Sequence, residues 1–152
     1  MTRMEVDVIT TTEDATRRIG AELFEKLDGS GVVALVGELG PGKTCLTRGL
    51  CEAAGIDPAV VASPTFSLVR EYAAGGGRRV CHFDFYRLEH EAELWEIGWQ
   101  EYLDGEGILV VEWADRFPEV FPEDTHWVEL EHDEEGRRVR IRSNQATKEE
   151  SL

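Results

Sequence analysis

Lysine is scarce in this chain, with only Lys26, Lys43 and Lys148 among 16 basic residues in a total of 152. Positive charge is outnumbered altogether: 31 acidic residues bring the net charge to −15. A field of that sign opposes strong binding to bare nucleic acid, whose phosphates require cationic partners. Long apolar runs are also missing, and none approaches the roughly 20 residues that a bilayer-spanning helix needs. The opening residues Met1 to Asp7 lack the apolar core of a signal peptide, so the expectation is a cytoplasmic protein with no membrane partner. Cysteine is sparse and odd in number: Cys45, Cys51 and Cys81 fit no zinc spacing. Cys45 and Cys51 fall six apart on a predicted helix, point to different faces and do not bridge, which leaves reduced structural thiols.

Against these absences stand 41% hydrophobic and 31% charged residues, the balance of a globular chain. No repeat, low-complexity stretch or linker divides it. The reading is a single α/β domain over residues 1–152, with its core at about 8–142 and a frayed tail at about 143–152.

Thr10 and Glu13 stand in capping-box spacing before a helix whose stripe is Ile19, Leu23 and Leu27, ending near Asp28-Gly29. Val32 to Val36 is a continuous apolar run, as a strand buried on both faces should be. A helix is predicted from about Lys43 to Ala54, closed by Gly55 and Pro58. Strands at 66–72 and 80–86 flank Gly75-Gly76-Gly77 as a hairpin. Residues 89–102 read as mostly helical, with Leu94, Trp95 and Ile97 inward. Ile108 to Val111 is a second buried strand, ending in Glu112-Trp113. Residues 127–131 and 138–142 form a terminal hairpin around Asp133 to Gly136, with a solvated, arginine-rich face on its second strand.

One segment carries chemistry. Gly37-Glu38-Leu39-Gly40-Pro41-Gly42-Lys43-Thr44 matches G-x-x-x-x-G-K-[ST] at every fixed position, between a buried strand and a helix. Its glycines let backbone N–H groups curl around an anion, and the helix N-terminus adds a positive dipole end. Lys43 is placed to reach the β- and γ-phosphates, and the Thr44 hydroxyl to ligate magnesium. A second magnesium group belongs at the end of a neighbouring buried strand, where Glu112 stands. Asp84 alternates with His82 and Tyr86; the spacing leaves open a group that orients water or assists the metal, or a solvated hairpin face. Ser63-Pro64-Thr65 reads either as a γ-phosphate sensor or as a capped turn. The four tryptophans and His90, His126 and His132 read as core and surface. Guanine recognition is disfavoured: Glu25-Lys26-Leu27-Asp28 is upstream of the loop and lacks the Asn or Thr of N/T-K-x-D, and Asp104 to Gly107 precedes a buried strand instead of following one. ATP with Mg²⁺ is the expected cofactor pair. A free-standing nucleoside or small-molecule kinase is the alternative, although Arg78, Arg79 and Arg116 are scattered for an acceptor lid.

Four ordered blocks resemble one family: residues 37–44; Ser63-Pro64-Thr65-Phe66-Ser67-Leu68-Val69-Arg70-Glu71-Tyr72; His82-Phe83-Asp84-Phe85-Tyr86-Arg87-Leu88; and Val111-Glu112-Trp113-Ala114-Asp115. Over about residues 8–142 the chain is similar to the TsaE type of bacterial ATPase, which takes part in making threonylcarbamoyladenosine in tRNA. The resemblance implies a P-loop NTPase fold: a central, mostly parallel sheet flanked by helices, with antiparallel hairpins. It implies slow ATP hydrolysis that regulates TsaB-type and TsaD-type partners, with tRNA met only indirectly. By block, Lys43 and Thr44 carry over as phosphate and magnesium contacts, Glu112 as a magnesium ligand and Asp84 as a group important for hydrolysis. Thr65 falls in a switch-like segment. Glu38, Leu39, Gly40, Pro41 and Gly42 carry over as loop contacts, and the segment around Thr11 and Glu13 as the neighbourhood of the adenine.

Overall fold

The computed structural model describes residues 3–37, 40–61, 68–75 and 78–143, with the backbone alone at 3–5, 40 and 41. Among these residues seven strands form one sheet: β1 (Arg3–Thr10), β2 (Gly31–Val36), β3 (Val69–Ala73), β4 (Arg79–Asp84), β5 (Ile108–Glu112), β6 (His126–Asp133) and β7 (Gly136–Ser143). Their spatial order is β1-β7-β6-β2-β5-β4-β3. The central pairs β4·β5, β5·β2 and β2·β6 are parallel, whereas β3·β4, β6·β7 and β1·β7 are antiparallel. Helices α1 (Glu13–Leu27), α2 (Gly40–Ala53), α3 (Ala92–Glu96) and α4 (Trp99–Asp104) flank it.

The uninterrupted apolar runs of β2 and β5 follow from cover on both faces. Val33 and Leu35 point into a core shared with Ile19, Leu23 and Leu27 of α1 and Leu46 and Leu50 of α2. Val32 and Ala34 point the other way, into a core with Phe83, Phe85, Leu94 and Trp99. That second core is aromatic. Trp99 meets Phe83 edge-on at 5.2 Å and donates its indole N–H to the Val120 carbonyl at 3.1 Å. Such ring pairs add about 0.5–1.5 kcal/mol each beyond area burial.

Several predicted details differ. The cap of α1 is Thr12, which accepts from Ala15 N at 3.0 Å, and not Thr10. Thr10 is instead the last residue of β1, buried, with its hydroxyl bonded to that of Thr16 at 2.8 Å. Strand β1 itself was not anticipated, because its partner β7 is remote in sequence. The predicted helix at 89–102 is two short helices broken at Gly98, whose φ of +87° interrupts the helical phase. That break turns Trp95 and Ile97 outward, at 44% and 40% exposure, and buries Trp99 in their place. The helix predicted from Lys43 already begins at Gly40, so Pro41 stands in its first turn, where a missing N–H costs nothing. The C-terminal arginines are tied into the sheet: Arg138 binds Asp7 at 2.8 and 2.9 Å, and Arg140 and Arg142 pair with Glu131 and Glu129. All three cysteines are free and buried. Gly76, Gly77 and the tail after Ser143 lie outside the described residues.

Candidate active site

The phosphate-loop motif occupies the junction between β2 and α2. At its start Gly37 has a φ of +118°, and a Cβ there would collide with the Leu130 carbonyl of β6. Only glycine lets the chain turn this close to the neighbouring strand. The loop returns as the first turn of α2, so the helix N-terminus faces the same space. Gly42 and Lys43 are buried, and Thr44 is half-buried. One turn on, the Thr47 hydroxyl donates to the Lys43 carbonyl at 2.8 Å.

Lys43 is 1% exposed, an unusual position for an ammonium. Its Nζ lies 4.2 Å from the centre of the Trp113 ring, which the left-handed backbone at that residue (φ 59°) brings over the site. Burial lowers the Lys43 pKa, while the charges of Glu112, Asp115 and Asp84 oppose that shift. A buried cation answered by acidic groups is the arrangement expected where an anionic ligand is to be exchanged in.

The carboxylates come from adjacent parallel strands. Asp84 ends β4, Glu112 ends β5, and the two are register partners. Alternation places His82, Asp84 and Glu112 on the sheet face that α2 covers, since Val80, Ile108 and Val110 of the same strands pack into the α1 and α2 core. Asp84 is half-buried and accepts from Tyr86 N at 2.9 Å. Burial raises its pKa, with the Glu112 charge acting in the same direction and the Tyr86 bond, His82 and Lys43 against it. Glu112, 4% exposed, bonds through Oε2 to His82 Nε2 at 2.7 Å. β4 pairs with β5 on one side and with β3 on the other, so it is an inner strand with the half-buried Asp84 at its end.

Among the described residues no three His, Cys, Asp or Glu side chains converge as a metal site. Magnesium usually takes phosphate oxygens and waters alongside one carboxylate and one hydroxyl. Glu112 and Thr44 supply those two donor types.

Two depressions border β6. One, of about 400 Å³, is walled by Val36, Gly37, Asp115 and the β6 residues Glu129 to His132. The other, of about 310 Å³, is lined by Thr10 to Glu13, His132, Gly136 and Arg137. His132 borders both. Thr11 and Glu13 thus line the second depression, which shares a wall with the first, while the charges of Glu112, Asp115 and Asp84 act on Lys43. The loop residues Gly40 and Pro41 are described by backbone only, and Glu38, Leu39 and Thr65 lie outside the described residues.

Five side chains at the site receive no chemical role from the sequence: His82, Asp115 and Arg137, and Trp113 and His132, which read there as core or surface. The alternation on β4 already placed His82 beside Asp84. The wall of the second depression was beyond reach from sequence, because it needs the pairing of Arg137 with both Thr10 and His132 across three strands.

Comparison with known proteins gives a consistent set. The family model for "Threonylcarbamoyl adenosine biosynthesis protein TsaE" matches residues 10–140. The tRNA threonylcarbamoyladenosine biosynthesis protein TsaE of Aquifex aeolicus is 39% identical over 111 residues, 72% of this chain and 77% of that protein. Its namesake from Haemophilus influenzae is 35% identical over 123 residues, covering 80% and 77%. The crystal structure of YdiB from Bacillus subtilis superposes with a TM-score of 0.76 at 25% identity, over 99% of this chain and 92% of that one.

Proposed function

The chain belongs to the TsaE family of threonylcarbamoyl adenosine biosynthesis proteins, and on that premise we propose that it is a magnesium-dependent ATPase serving the formation of N6-threonylcarbamoyladenosine in tRNA. The observation that carries the ATPase reading is the buried Lys43 ammonium at the N-terminus of α2, answered by the charges of Glu112 and Asp84 from two adjacent strand ends.

In this reading the curled loop, from Glu38 and Leu39 through Gly40, Pro41 and Gly42, cradles the phosphates, and Lys43 neutralises their β- and γ-oxygens. Thr44 and Glu112 would hold Mg²⁺, which when bound supplies charge neutralisation on the transferred phosphoryl group. Asp84 orients the attacking water by accepting its hydrogen bond. The water oxygen bonds to the γ-phosphorus, the bond to the β-phosphate oxygen breaks with its electrons leaving on ADP, and the water's proton passes by way of Asp84 to the released phosphate. A half-buried carboxylate with a raised pKa suits that transient acceptance. Thr11 and Glu13 take the adenosine end, which the depression they line beside His132 favours, and Thr65 senses the γ-phosphate.

Turnover resets or regulates partners of the TsaB and TsaD types, which carry the carbamoyl-transfer chemistry. The net charge of −15 favours protein partners over direct contact with tRNA. Among the described residues no helix is long and apolar enough to cross a membrane. The test is ATP hydrolysis measured with and without the TsaB-type and TsaD-type proteins and tRNA. A large stimulation by the partners is expected; no stimulation, or phosphorylation of an added nucleoside by the isolated chain, would point to a kinase instead.

A further inference from the structure

We propose that His82 is a positioning residue: its imidazole sets the carboxylate of Glu112 in the orientation in which it ligates the catalytic magnesium. The inference rests on the metal role given to Glu112 above.

His82 is fully buried in the middle of β4, on a face otherwise packed with Val80, Ile108 and Val110. A neutral apolar residue would suit that position better, because a buried imidazole must recover its desolvation through hydrogen bonds. Among the described residues its Nδ1 has no partner, and the ring's hydrogen bond there is the one from Nε2 to Glu112 Oε2 at 2.7 Å. The histidine is thus committed to one carboxylate oxygen. That oxygen belongs to the residue at the very end of β5, beside Asp84 and within the field of Lys43. The strand backbone fixes the Cα positions of His82 and Glu112 but not the rotamer of a glutamate with three side-chain torsions. A directed N–H donor beneath the carboxylate fixes it, in the way that outer hydrogen bonds orient metal ligands generally.

The test titrates Mg²⁺ into the full-length protein bound to a non-hydrolysable ATP analogue, with analogue affinity in EDTA measured in parallel. His82→Phe keeps the ring and removes the donor; it is expected to raise the half-saturating Mg²⁺ about 10- to 100-fold while leaving the EDTA affinity unchanged. His82→Gln, which restores an N–H donor of similar reach, should recover most of the loss. Should His82→Phe not fold, His82→Asn, whose amide stops short of Glu112, takes its place. An unchanged Mg²⁺ titration, an equal loss of analogue binding in EDTA, or failure of His82→Gln to rescue would each overturn the inference. Glu112→Gln serves as the control. If it too leaves the titration unchanged, the metal role of Glu112 falls and this inference with it; if it weakens Mg²⁺ binding while His82→Phe is silent, this inference falls alone.

Discussion

The Lys43 ammonium rests 4.2 Å from the centre of the Trp113 ring, and that indole in turn meets the ring of Tyr86 at 5.0 Å. The cation proposed to bind phosphate is therefore in contact with an aromatic face. Such a contact contributes on the order of 0.5–2 kcal/mol, less than charge-assisted bonds to a triphosphate, so ATP should win the ammonium. The expected outcome is a change in tryptophan emission on adding nucleotide that disappears in Trp113→Phe. Persistence of the full change in that variant would place its origin at Trp95, Trp99 or Trp127.

Asp84→Asn preserves shape and removes the charge that would orient water. Hydrolysis should fall by about 10²-fold or more while nucleotide affinity changes little, because the group acts in the transition state. Single-turnover hydrolysis and equilibrium binding, measured on the same preparation, separate the two; a parallel loss in both would contradict the role.

Gly49 of α2 lies against Arg17 of α1, and a Cβ there would collide with the Arg17 carbonyl, just as one at Gly20 would collide with that of Leu46. Alanine gains about 1 kcal/mol in helix propensity, but separating two backbones in contact costs about 1–3 kcal/mol. The clash should win, because it is with backbone on both sides: Gly49→Ala is expected to lower stability, by up to roughly 2 kcal/mol, in chemical denaturation, against the sign that propensity alone predicts.

Burial pushes the Cys51 thiol up from 9.0 to about 12 and that of Cys81 to about 11. Above pH 9 the unfolded chain releases protons that the folded state retains. The stability due to these thiols is therefore complete below pH 9 and is lost as pH rises toward 12. Denaturation midpoints should fall across that window, less steeply in Cys51→Ala than in the parent. The folded protein should also resist thiol reagents at pH 8, with all three cysteines reacting once it is unfolded.

The central sheet and the head of the site were legible because they obey local rules. Val32 to Val36 and Ile108 to Val111 declare double-sided burial by their continuity, and the motif at 37–44 declares a strand-to-helix junction by its glycines. What escaped depends on distant pairing or on a single phase break. β1 has meaning only beside β7, some 130 residues on in register terms (Arg138 reaching Asp7). Trp99 replaces Trp95 and Ile97 in the core because Gly98 interrupts a helix that the periodicity alone would continue. Glu112 was anticipated from its place at a strand end, but its bond to His82 required knowing that β4 and β5 are parallel neighbours.

The most direct measurement is calorimetric titration of ATP and Mg²⁺ into the parent protein and into Lys43→Ala. The account predicts saturable binding by the parent and a loss of about 1.5–3 kcal/mol or more in the variant, some tenfold to hundredfold in affinity, because charge-assisted bonds are removed from a buried site. Undiminished binding by Lys43→Ala, or none by the parent, would contradict it.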